Sequence, residues 1–251
     1  MTDTARSFTP ANPSGSYRLD LAKQPEREVA LRLMEIRNAE VEELAKLPRP
    51  KGELAVNKNT TSEHHIRNAS LDSNPFVFTS SWHLPTVGIL SFDFTSTSKP
   101  PPGACDHAVD LSLILRGIKG NESRLVKAKE VLGVSYIRLK TAKHCLMMMK
   151  GQEARVAFLV LAFARVIEWH GYHQLTDLLT KHELPLLHKR LGLHNVYDPF
   201  CSVGYWEMQL ENSEHRVVAA HLVRLAVLEP GDNVEDAWYV ELRNCRFIMI
   251  Y

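Results

Sequence analysis

Between Val156 and Ile167 the chain reads Val-Ala-Phe-Leu-Val-Leu-Ala-Phe-Ala-Arg-Val-Ile, an apolar run interrupted only by Arg165. A bilayer-spanning helix takes about 20 apolar residues, so this run is too short to cross one. In water, a helix that is apolar on every side has to be covered on every side. The run therefore predicts a central buried helix over Glu153–His170, stopped at Gly171, with neighbouring elements enclosing it. A chain of 251 residues with 45% hydrophobic content can supply them.

The sequence on either side reads as helix. Asp106 is expected to cap a helix that buries Val109, Leu113 and Ile114 and ends at Gly117 and Gly120. Asn121 is expected to cap the next, with Gly133 past its end, and Ser135 a third that ends at Gly151. Core filling is the expected role of Met147, Met148 and Met149 in its last turn. Shorter helices follow around Gln174–Lys181 and Pro185–Leu191.

The flanks differ. Residues 1–23 are polar, with Pro10, Pro13 and Gly15, and read as a flexible arm without a core of its own. Pro25 opens a helix that runs to about Leu47, with Ala30, Leu33, Met34, Val41 and Leu44 as its apolar stripe. A polar connection follows to residue 74, and its adjacent His64 and His65 are expected to be solvated. Strand is expected around Phe76–Phe78 and Ile89–Phe94, with a turn at Pro85 and Gly88 and a stop at Pro100–Gly103. Beyond Tyr197, strand is expected at Tyr205–Leu210, helix at Val217–Leu228 and strand at Trp238–Tyr251. The expected architecture is α+β: a helical core of about six helices over residues 105–191, flanked by strand-bearing segments. Its organisation is an arm over 1–23, an N-terminal helix and linker over 24–74, and a main domain over 75–251.

Cys105, Cys145, Cys201 and Cys245 are widely spaced, without a CxxC pair. The N-terminal residues lack the apolar stretch of a secretory signal. Free thiols in a reducing compartment, cytoplasm, nucleus or virion, are the expectation. The sequons at Asn59, Asn68 and Asn121 are then chance matches. No transmembrane segment is expected.

Catalytic signatures are weak. His170, His173, His182, His188 and His194 cluster in sequence, but Gly171 breaks the first pair apart and Leu186 stands where an HExxH zinc site needs its second histidine. Cys145 follows His144 directly, and helix neighbours point in different directions. Cys105-Asp106-His107 at a helix start can lower a thiol pKa, but a capping role accounts for it as well. GxSxG, GxGxxG and GxxxxGK[ST] motifs are missing. No catalytic residue, metal site or cofactor is therefore assigned.

Charge is the feature with physical leverage. The chain carries a net +1, yet Arg116, Lys119, Arg124, Lys127, Lys129, Arg138, Lys140, Lys143, Lys150 and Arg155 face only Glu122, Glu130 and Glu153 in their own stretch. Between Tyr205 and Glu241 the balance reverses, with eight acids against Arg216 and Arg224. A basic helical face attracts phosphates and releases their counterions, and it attracts an anionic leaflet equally.

The order of polar arm, strands, proline connector, basic helices and further strands is similar to that of matrix proteins of negative-strand RNA viruses. The basic helical middle with its arm also resembles their nucleoproteins. The likeness is one of element order, with no motif behind it. The basic stretch points to a non-enzymatic protein, of viral nucleoprotein or matrix type, that binds RNA or an anionic membrane through the ten basic residues named and assembles into homo-oligomers. The alternatives are an enzyme whose site is assembled from dispersed His and Cys residues, and a protein-interaction adaptor.

Overall fold

The structure is a computed structural model, and it describes residues 8–46, 65–75, 78, 82–106, 110–198, 202, 205–228, 236–240 and 246–250. The fold is α+β with a helical core. The chain forms two compact units, Met1–Leu191 and Gly192–Tyr251.

The first unit begins with strand β1 (Gly15–Asp20) and helix α1 (Gln24–Lys46). Strands β2 (Ile66–Leu71), β3 (Asn74–Pro75) and β4 (Ile89–Phe94) complete an antiparallel sheet of order β1-β4-β2-β3. The arm expected over 1–23 is thus, from Gly15 on, part of a sheet. β1 pairs along its whole length with β4, Gly15 opposite Phe94 and Asp20 opposite Ile89. Tyr17, Leu19 and Leu21 alternate inward and pack with Leu33 of α1 and with Leu90, Phe92 and Phe94 of β4. Nearby, Asn12 is buried and donates its amide to Leu161 O at 3.0 Å. The connection expected to run to residue 74 likewise contains β2 and β3, and its residues 47–64 lie outside those described.

Six helices then follow: α2 (Leu111–Arg116), α3 (Asn121–Leu132), α4 (Leu139–Met148), α5 (Gln152–Ala162), α6 (His173–Thr176) and α7 (Glu183–Leu191). The central one, α5, packs against α3, α4, α7 and β1. In α5, Val156 and every residue from Phe158 to Ala162 are buried, as a helix apolar all round requires. It ends earlier than its apolar pattern suggests. After Ala162 the chain tightens into a 3-10 turn, and Val166 turns extended to form a bridge with Ile137. Ile137 N–H donates to Arg165 O at 2.9 Å, and Ile167 N–H donates to Ile137 O at 3.0 Å. Arg165, the one charge in the run, is buried with its guanidinium 4.9 Å from the Tyr136 ring.

Helix ends also differ from their expected caps. Asp110, not Asp106, caps α2, accepting from Ser112 N–H at 2.8 Å. Leu111 and Leu115 are therefore the buried positions, and Leu113 is 57% exposed. Ser135 donates its hydroxyl back to Val131 O, and the first amide of α4, Leu139 N–H, is taken by the Glu168 carboxylate at 2.8 Å. Half of a capping box forms at the start of α7: Thr180 N–H donates to Glu183 Oε2 at 2.7 Å, while Glu183 N–H closes a turn onto the backbone Thr180 O at 3.0 Å.

The second unit contains α8 (Leu193–Val196), β5 (Tyr205–Gln209), α9 (Ser213–Leu228), β6 (Asp236–Val240) and β7 (Arg246–Ile250). Its core is Leu193, Met208, Val218, Ala219 and Leu222. The strand expected over Trp238–Tyr251 is two strands, and β7 is the central strand of the sheet β5-β7-β6. The backbone near the chain's end is thus paired on both sides by its own unit.

Candidate polyanion-binding surface

The ten basic residues between Arg116 and Arg155 divide by what their side chains do. Arg124 serves the fold. Its Nε donates to Leu115 O at 3.2 Å and to Ile118 O at 2.9 Å, and its Nη1 donates to Met148 O at 2.7 Å. Leu115 and Met148 lie at the C-terminal ends of α2 and α4, where carbonyls lack helical partners and carry partial negative charge. One guanidinium thus ties two helix ends to the start of α3. Asn121 reinforces the junction: it does not cap α3 but donates its amide to Lys150 O and accepts from Lys150 N–H at 3.0 Å.

Arg155 is equally committed. Its Nε lies 2.7 Å from Glu183 Oε1, and its Nη2 donates to Leu178 O at 2.7 Å. Lys129 points toward the sheet, its Nζ 5.2 Å from the Tyr17 ring, and burial pushes its amine down to about 8. Arg138 stands 3.5 Å from Asp106 and 3.6 Å from Glu168. Lys127 pairs with Glu130 at 3.0 Å, and Lys143 donates to Gln174 Oε1 at 2.7 Å.

Arg116, Lys119, Lys140 and Lys150 are different. All four are exposed, and none takes part in a side-chain hydrogen bond or ion pair among the described residues. Arg116, Lys119 and Lys150 surround the junction that Arg124 and Asn121 hold together. Lys140 sits at the other end of α4 and shares its outer face with His144 and Met147, one and two turns on. Leu113 and Arg116 share the outer face of α2 in the same way. The helices α2 and α4 are packed neighbours.

A second polar cluster lies beside the sheet, and charge counting misses it entirely. His65 is fully buried rather than solvated, with Nε2 3.1 Å from both Glu40 Oε2 and Thr97 Oγ1. Glu40 also accepts from Ser96 Oγ at 2.5 Å and from Thr97 N–H at 2.8 Å. These are the residue types of a hydrolytic triad, but the arrangement is not one. In a triad the nucleophile and the acid contact opposite imidazole nitrogens. Here hydroxyl and carboxylate share Nε2, and Ser96 bonds the acid rather than the imidazole. The cluster joins α1 to the ends of β2 and β4. Its one sequence signal is a histidine directly before the short strand β2.

Other candidate chemistry is dispersed. Burial pushes the Cys145 thiol up to about 12, far from a reactive thiolate. Cys105 is exposed, whereas His107, Cys201 and Cys245 lie outside the described residues. The His170 ring rests against Trp169 with centroids 3.5 Å apart, and Lys99 Nζ lies 3.3 Å from the same indole. Among the described residues, no three His, Cys, Asp or Glu side chains converge as metal ligands. No described helix is long and apolar enough to cross a membrane. No family model, curated protein or solved structure matches the chain.

Proposed function

We propose that the chain is a non-enzymatic binding protein that takes a phosphate-bearing polyanion on the joint face of α2, the 117–121 turn and α4. The observation that carries this reading is the set of exposed cations on adjoining elements, Arg116, Lys119, Lys140 and Lys150, whose side chains form no hydrogen bond or ion pair among the described residues. Of the other six, Arg124, Lys129 and Arg155 are held by the fold, and Lys127, Arg138 and Lys143 already have polar partners at the surface. Four phosphate contacts give a salt slope of roughly −3 against a single strand. Reversing all four residues to Glu is expected to lower affinity at low salt by about 100-fold or more. Unchanged binding of this quadruple variant to both RNA and acidic vesicles, with its thermal melt intact, rejects the reading.

Self-association is the other half of the proposal. The acidic stretch between 205 and 241 is opposite in charge to the basic helices of another copy. Light scattering tests it. Assembly held by these charges dissolves as salt approaches roughly 1 M, where the screening length is about 3 Å. A particle mass independent of salt rejects that contact.

The protein-interaction reading has its own observation. Ile118, Glu122, Ser123, Val126, Lys127 and Glu130 line a shallow groove of about 450 Å³ along α3, with Val126 57% exposed. Val126→Asp abolishing capture of a cellular protein, with polyanion binding unaffected, favours it.

A further inference from the structure

An exposed basic face recognises phosphate but does not distinguish a nucleic acid from a lipid headgroup. The side chains between the cations do. Leu113 on α2 is 57% exposed and Met147 on α4 is 64% exposed. They stand three residues from Arg116 and from Lys150 respectively, on the faces already described. Single-stranded RNA gains most of its non-ionic affinity from bases stacked on aromatic rings. The described aromatic rings of the helical core are engaged elsewhere: Tyr136 against Arg165, Trp169 against Lys99 and His170, and Phe163 edge-on to Tyr172. A face that combines exposed cations with projecting aliphatic side chains instead has the character of a membrane-surface anchor, with cations at the headgroup level and apolar tips at the acyl boundary.

Resting on the polyanion reading, we infer that the partner of this face is an anionic lipid surface, with Leu113 and Met147 inserting between headgroups held by Arg116, Lys119, Lys140 and Lys150. Binding then has an electrostatic part and an apolar part, and separate variants remove them.

The test is co-sedimentation of the full chain with phosphatidylcholine vesicles, with and without phosphatidylserine, alongside filter binding to poly(U). The inference expects binding to the phosphatidylserine vesicles and little to the neutral ones. The double variant Leu113→Gln, Met147→Gln leaves charge and buried core untouched and should weaken vesicle binding about tenfold. Reversing the four cations should abolish it. Poly(U) binding with no vesicle binding overturns the lipid inference and leaves the polyanion reading standing. Vesicle binding unchanged in the double variant also overturns the inference, because the aliphatic side chains then contribute nothing. Binding to neither probe overturns both.

Discussion

Arg155 Nε lies 2.7 Å from Glu183 Oε1, and the Glu183 side chain retains only 4% exposure. The pair links α5 to the first turn of α7, where Glu183 also accepts from Thr180 N–H. Removing one partner of an enclosed pair strands the other charge, which typically costs 3–5 kcal/mol. Arg155 keeps 19% exposure, so some of that cost is relieved by water. Arg155→Ala is expected to lower unfolding stability by about 2–3 kcal/mol in urea titration, while the folded variant binds polyanions like the wild type. Weakened binding without a stability change would move Arg155 from the fold to the surface.

Glu40 predicts an acid response. Burial pushes its carboxyl up, but hydrogen bonds from His65, Ser96 and Thr97 N–H outweigh burial and hold it below the usual carboxylate range. A carboxyl whose folded pKa is depressed stabilises the fold above its unfolded value of about 4.5. That contribution is lost as pH falls through the lower folded value. Glu40→Gln should therefore be less stable than the wild type at pH 7, and the difference should shrink as pH drops below about 4.5. The same gap at pH 7 and pH 3 would show that the charge on Glu40 is irrelevant.

Much of this fold is legible from local signals, and the exceptions share a cause. α1 runs from Gln24 to Lys46 because Pro25 suits a first helical turn and Pro48 lies just beyond the end. β4 alternates plainly, and α9 follows the Ala and Leu content of 217–228. β1 was hidden because Gly-Ser-Tyr-Arg-Leu-Asp has few apolar residues, and its partner β4 lies some 70 residues away. The end of α5 was hidden because Ile137 competes for its last turn from another segment. Thr180-Lys-His-Glu183 has the spacing of a capping box, and its Glu183 half forms at the start of α7. Charge counting finds the basic stretch but does not reveal where a side chain points. Arg124 and Arg155 aim at backbone carbonyls, and Lys129 at an aromatic ring, for reasons visible only after the helices pack.

Lys129 carries a prediction of the same sign at alkaline pH. Its ordinary value is 10.5, and burial brings it to about 8 in the folded chain. Between those values the unfolded chain holds a proton that the folded chain has released, so this residue adds stability as pH rises across the window. Tyr17 and Cys145 act the other way, since burial raises both. The residue is therefore isolated by comparing the wild type with Lys129→Met. The wild type should gain on the variant from pH 8 to pH 10, and polyanion binding should not differ between them. Parallel stability curves would mean that the amine is not desolvated.

Arg124 is the residue whose loss should be felt furthest. Its guanidinium reaches three backbone carbonyls, Leu115 O, Ile118 O and Met148 O, at 2.7–3.2 Å. Hydrogen bonds from a charged donor contribute roughly 1.5–3 kcal/mol each. The contributions do not add, because Leu115 O also accepts from Ile118 N–H and water can reach part of the junction. Arg124→Ala is expected to cost about 3 kcal/mol in total. Arg124→Lys should recover only part of it, because a single ammonium cannot span the same fork of acceptors. Hydrogen exchange separates this from a general loss of stability. Amides of α2 and of the last turn of α4 should exchange faster in Arg124→Lys, while those of β1 and β4 keep their protection. The same junction carries Arg116, Lys119 and Lys150, so the variant should also weaken polyanion binding although Arg124 itself faces inward. Uniformly faster exchange, or loosened helix ends with full binding, would break the proposed link between the junction and the surface it supports.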